Sequence, residues 1–164
     1  MITRVCKIVM CFCLAIFAFL VTFGNISDYG SNYAFVQHVL SMDTTFPGNA
    51  LMYRSITNPS LWTAGYWLII FGEGVTCVLF LLAAFKLWQA RSAPAQEFQK
   101  AKDFMVIGAT MGFLVWFLGF MAIGGEWFAM WQSETWNGQE AAFRFYISIL
   151  AVLIFVMQPD ADRA

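Results

Sequence analysis

Four stretches of this chain, residues 8–24, 61–85, 104–123 and 141–157, are almost wholly apolar, and clusters of polar residues, glycine and proline separate them. A helix needs about 20 mostly apolar residues to cross the hydrocarbon core of a bilayer, so each stretch predicts one membrane-spanning helix. The first is preceded by Arg4 and Lys7 and followed by a polar run over 25–28. The second opens at Asn58-Pro59, a capping residue before a proline whose missing N–H costs nothing in a first helical turn, and it closes at Lys86. The third carries no charge and is expected to stop at Gly124-Gly125. The fourth is short, has Arg144 near its start and ends before Pro159. The predicted fold is an all-α membrane protein: one domain, a four-transmembrane-helix bundle, with long loops over 25–60 and 124–140 at one end and a loop over 86–103 at the other.

Composition removes the alternative of a water-soluble domain. Of 164 residues, 60% are hydrophobic and 12% charged, against roughly 25% charged in an average soluble domain. A net charge of −1 with no basic run excludes nucleic acid as a partner. Membrane lipid is the implied surrounding. Lys and Arg near span ends are retained on the cytoplasmic side. Arg4, Lys7, Lys86, Arg91, Lys100, Lys102 and Arg163 all fall at one end, leaving Arg54 and Arg144 opposite, so both termini are expected to be cytoplasmic. No small-x-small site precedes Asn25, so the first span is expected to be retained rather than cleaved as a signal peptide. Cys6, Cys11, Cys13 and Cys77 fall in or beside the first two spans without CxxC spacing and are expected to pack as small apolar residues.

The outer loops carry the chemistry. The connection over 25–60 is far longer than joining two helices requires, and loops of that length are usually structured or functional. Ser31 is expected to cap a helix over 31–41, with a second short helix over 50–56 after the breaker Phe46-Pro47-Gly48-Asn49, both lying at the membrane surface. In the second loop Trp127 and Trp131, four apart, are expected to share a helix face, with Glu126, Gln132 and Asn137 turned inward. The loop over 86–103 reads as a solvated connector.

Residues 23–47, from Phe23-Gly24-Asn25-Ile26 to Thr44-Thr45-Phe46-Pro47, and residues 124–139 resemble the bacterial family of predicted small integral membrane proteins known as domain-of-unknown-function family 2165. The resemblance covers nearly the whole chain and implies a bacterial inner-membrane protein. It implies no activity, cofactor or catalytic residue.

Glu73, at the midpoint of the second stretch, is the most informative single residue. A carboxylate inside a membrane costs a few kcal/mol and must face the bundle interior with a partner or be protonated. It reads either as a proton- or cation-binding group or as the partner of Arg144 in an interhelical ion pair. Flanking Gly72 and Gly74 leave room for a backbone, a water or a ligand to approach. His38, the only histidine, reads as a hydrogen-bonding or packing residue, or with Asp43 and Glu126 as a weak metal site. Ser27, Ser31 and Ser41 lie near His38 in sequence, but no GxSxG elbow accompanies them. Gly108 and Gly112 form a GxxxG pair, and Gly65 and Gly72 lie two turns apart, which predicts close helix contacts within the bundle or self-association.

The leading expectation is non-enzymatic: an accessory subunit or binding module that presents Asp28, His38, Asp43, Arg54, Glu126 and Asn137 on its cap to lipid or to a membrane-protein partner. A small proton-coupled transporter using Glu73 is the first rival. A metal-assisted enzyme using His38, Asp43 and Glu126 is the second.

Overall fold

A computed structural model describes residues 1–161. The described residues form helices and no strand: α1 (Ile2–Ser27), α2 (Tyr29–Ser41), α3 (Pro59–Gln89), α4 (Ala95–Lys100), α5 (Asp103–Phe113) and α6 (Gln139–Met157). Between α5 and α6 the helix widens into a π segment, Leu114–Trp127, and two 3₁₀ turns occupy Met52–Arg54 and Met130–Gln132. Four helical rods, Ile2–Ser27, Pro59–Gln89, Ala95–Trp127 and Gln139–Met157, are long and apolar enough to cross a membrane.

The rods pack in chain order. α1 lies along α3, α3 along α5, and the π segment along α6, while α1 and α6 touch and close the bundle. The core joins Cys11, Leu14 and Ala15 of α1 to Phe80 and Leu87 of α3, Met105 of α5, Trp116 of the π segment and Ile149 of α6. Three glycines permit the close approach. A Cβ on Gly72 would sit 2.6 Å from Val115, one on Gly108 2.9 Å from the Phe80 ring, and one on Gly112 2.8 Å from Ile149. The GxxxG pair is therefore consumed inside the bundle. Phe12, Phe19, Phe71, Val78, Leu118 and Ile154 lie exposed around the outside, as side chains facing lipid do.

α3 begins as its sequence dictates: Asn58 Oδ1 accepts from Ser60 N at 2.9 Å and Pro59 opens the first turn. Three boundaries differ from expectation. α1 starts at Ile2 because the cations that should end the span are buried and paired. Arg4 donates to the carbonyls of Arg91 and Ala93, and Lys7 to Asp160 and to the Gln158 carbonyl. α2 begins after Asp28, not Ser31, because the chain breaks helical geometry for that residue alone, and Asp28 makes no side-chain cap; no α-helix forms over 50–56, only the 3₁₀ turn. The third rod does not stop at Gly124-Gly125 but runs to Trp127, with Phe128 N donating five residues back to Ile123 O at 3.0 Å. Those glycines are buried: a Cβ on Gly125 would collide with the Gln139 side chain, and one on Gly124 would lie in van der Waals contact with Met130.

Both described chain ends and the α3–α5 connection meet at one end of the bundle, the terminal end. The loop there is not a solvated connector: its own Phe98 and Lys102 are buried. At the opposite end α2 and residues 124–138 form a cap. Its two segments are joined by Thr44 Oγ1 donating to Ser133 Oγ at 2.8 Å, and by Gln132 Oε1 accepting from Phe46 N and Asn49 Nδ2. The chain turns sharply at Ala129, in left-handed geometry with φ of 51°. Trp127 and Trp131 therefore do not share a face. Trp127 lies under the Arg54 guanidinium at 4.5 Å, while Trp131 meets Phe46 edge-on.

Candidate functional site

Glu73 is 1% exposed, in the middle of α3. Its Oε2 accepts from Asn25 Nδ2 at 2.7 Å, and this is its hydrogen bond among the described residues. Asn25 reaches it from the last turn of α1, and its carbonyl accepts from Tyr66 Oη at 2.7 Å. Two turns of α3 and the end of α1 are thus tied together around one carboxylate.

The expected ion pair does not form. Arg144 bonds Glu140, one turn back on its own helix, and both side chains are exposed. The pairing follows from i, i+4 geometry, which brings these two side chains together on the surface of α6 without burying either. The glycines beside Glu73 also serve the helices: Gly72 receives Val115, and Gly74 faces Thr22 of α1.

Glu73 lines a cavity of about 260 Å³ between α1, α2, α3, the π segment and the start of α6. Its other polar wall groups are Asn25, Asn32 and Tyr66, and the rings of Phe35, Trp116, Phe120 and Phe145 line it together with small and aliphatic residues. Asn32 donates to the Asp28 carbonyl. Once these bonds are made, Glu73 Oε1, Asn25 Oδ1 and Asn32 Oδ1 remain as acceptors, and each of the two amides keeps one N–H. A second cavity of about 170 Å³ lies alongside and is apolar, sharing Phe35, Val36, Ile69 and Phe120 as a common wall. The π segment contributes to both, through Trp116 and Phe120 to the first and Gly119, Ile123 and Gly124 to the second. Wide π turns are rare and recur at functional sites.

The remaining candidates are dispersed. His38 Nδ1 lies 2.9 Å from both carboxylate oxygens of Asp43, and its ring stacks on Trp136 with centroids 4.7 Å apart. Glu126 is exposed at the end of the π segment and does not join them. No three His, Cys, Asp or Glu residues converge in a metal-binding group among the described residues. Asn137 is exposed and accepts from Gln139 N, whereas Gln132 alone of the three loop residues turns inward. Ser27 donates to the Phe23 carbonyl and Ser41 to the backbone carbonyl of His38, neither to the imidazole.

Sequence reasoning missed Asn25, Asn32 and Tyr66 as neighbours of Glu73. The signal was present in Asn25, a polar side chain one residue past an apolar run, which served only to mark where that run ended. It also missed the cluster at the terminal end, where Lys7 (0% exposed) and Lys102 (1%) both reach Asp160 Oδ2 at 2.8 Å.

Residues 3–159 match the family model described as Predicted small integral membrane protein (DUF2165). The chain belongs to this family. No curated protein and no solved structure matches it. Membership fixes this DUF2165 protein as an integral membrane protein in contact with lipid, and the four apolar rods agree.

Proposed function

We propose that this DUF2165 protein is a non-enzymatic, membrane-embedded binding module whose ligand is received by Glu73 beneath the cap. One observation carries the reading: a carboxylate 1% exposed, with one hydrogen bond among the described residues, on the wall of a cavity of about 260 Å³. Burying a carboxylate is costly unless it is satisfied or working, and an intramembrane ionisable residue is by default a functional candidate. The carboxylate, the one charged group on the wall among the described residues, favours a ligand that donates hydrogen bonds or carries positive charge. The surrounding rings favour a cation further, since an aromatic face attracts one within about 6 Å. In this reading the cap is a roof, with α2 supplying Asn32, Phe35 and Val36.

Transport receives less support. Thr76 and Thr110, the other polar groups of a possible track, both donate to carbonyls of their own helices. Beside Glu73 a Cβ on Gly72 would meet Val115, and toward the terminal end one on Gly112 would meet Ile149, so the helices pack closely there. The site is placed in a bacterial inner membrane with both termini cytoplasmic, a reading supported by the cations gathered at the terminal end. Homo-oligomerisation, or docking of a membrane-protein partner on the exposed cap residues Asp28, Glu126 and Asn137, is compatible with this role.

Titration of the nanodisc-embedded protein with n-butylammonium, followed by tryptophan fluorescence because Trp116 lines the cavity, tests the reading. A saturable change is expected in the wild type, weakened at least tenfold in Glu73→Gln. Equal titration of the two proteins would refute it.

A further inference from the structure

We infer that the ligand of this pocket is a single-chain amphiphile with an N–H-bearing ammonium head, the head at Glu73 and the chain in the neighbouring apolar cavity. This rests on the Glu73 cavity being a ligand site and adds what occupies its neighbour. Three observations lead there. The head cavity offers Glu73 Oε1, Asn25 Oδ1 and Asn32 Oδ1 as acceptors around its carboxylate, and its tyrosine proton is already given to Asn25 O, so an ammonium with several N–H donors matches the carboxylate in charge and the amide oxygens in hydrogen bonding. A phosphate beside the same ammonium would bring negative charge against Glu73, which disfavours zwitterionic phospholipids.

The second cavity adjoins the first, with Phe35, Val36, Ile69 and Phe120 as the wall between them, and among the described residues no charged or hydroxyl-bearing side chain lines it. Gly65, Gly119 and Gly124 hollow it out by contributing no side chain. It also reaches the lipid-facing surface. Leu68, 70% exposed, and Ile123, 45% exposed, stand on its rim, from α3 and the π segment respectively. A ligand entering between these two residues comes from the hydrocarbon of the bilayer, where hydrated ions and polar metabolites are scarce. The apolar chain gains little by moving from lipid to an equally apolar cavity, so the cavity gives selectivity for chain shape while Glu73 supplies the polar contact.

The test compares n-butylammonium with n-dodecylammonium on the full-length protein in nanodiscs, each binding curve taken as the difference from Glu73→Gln so that simple partition into lipid cancels. The cavity is then filled from two sides. Gly119→Leu places its Cβ no closer than 3.7 Å to any atom, and Gly65→Leu places its Cβ 3.4 Å from Leu40, so neither begins with a collision. Both variants are expected to weaken dodecylammonium at least tenfold and to leave butylammonium within twofold. Unchanged dodecylammonium binding in both, or equal weakening of the two amines, would overturn the chain assignment while the Glu73 site stood. Absence of any Glu73-dependent butylammonium binding would instead refute the site itself.

Discussion

Asp160 shows at the scale of one residue how the terminal end is held. Burial alone would raise its carboxyl, but the hydrogen bonds from Lys102 and Lys7 and their charges outweigh this and hold it below its ordinary value of 3.8. A carboxyl with a depressed native pKa contributes stability that is complete above the unfolded value and is lost as pH falls through the native one. Asp160→Ala leaves two buried ammonium groups without their counter-charge, a change that typically costs about 3 to 5 kcal/mol. The melting difference between wild type and Asp160→Ala should stay level from about pH 8 to about pH 5 and narrow below about pH 4. A difference that grew on acidification would contradict the assignment. Arg144→Gln, by contrast, removes only a solvent-exposed pair with Glu140 and should leave the melting temperature of the protein unchanged, as exposed pairs contribute little. Neither role was legible beforehand. Arg4, Lys7 and Lys102 are visible in sequence as cations near span ends, and only folding shows that they close on the carbonyls and the carboxylate of distant segments.

Helices as elements were read well where hydrophobic length decided them, and poorly where close contacts did. All four apolar stretches became spanning rods, and Asn58-Pro59 marked the start of α3 to the residue. Gly124-Gly125 misled, because the same absence of a side chain that permits a turn also permits the tight packing found there. The π segment had no sequence signal at all, since its apolar run satisfies an α-helix equally well. Glycines can be sorted by what surrounds them. Gly108→Ala pushes a methyl group onto the fully buried Phe80 ring and should destabilise by about 1 to 3 kcal/mol. Gly24→Ala meets nothing within 4 Å in the last turns of α1 and should stabilise by up to about 1 kcal/mol. Unfolding in mixed detergent with increasing denaturing surfactant ranks the two, and equal effects would argue against the packing described.

Across the whole molecule, two ends with different chemistry face opposite sides of the membrane. The terminal end is cationic and internally paired, and the cap end is aromatic and roofs the Glu73 cavity. In a background with the four native cysteines replaced, Thr57→Cys at the exposed edge of the cap should react with an impermeant maleimide in intact cells, and Ser92→Cys at the exposed α3–α4 turn should react only after lysis. The reverse pattern would invert the topology. Periodicity and length made this layout legible, but not the meeting of α1 with α3 that sets Asn25 against Glu73, because residues 48 apart converge only when a bundle closes. The claim that Glu73 faces a ligand cavity is tested most directly by the infrared carboxyl bands of the protein in nanodiscs, assigned by subtraction of Glu73→Gln. The Glu73 band should move on adding n-butylammonium and be indifferent to Arg144→Gln. A band that ignores the amine and moves when Arg144 is replaced would restore the interhelical ion pair and remove the site.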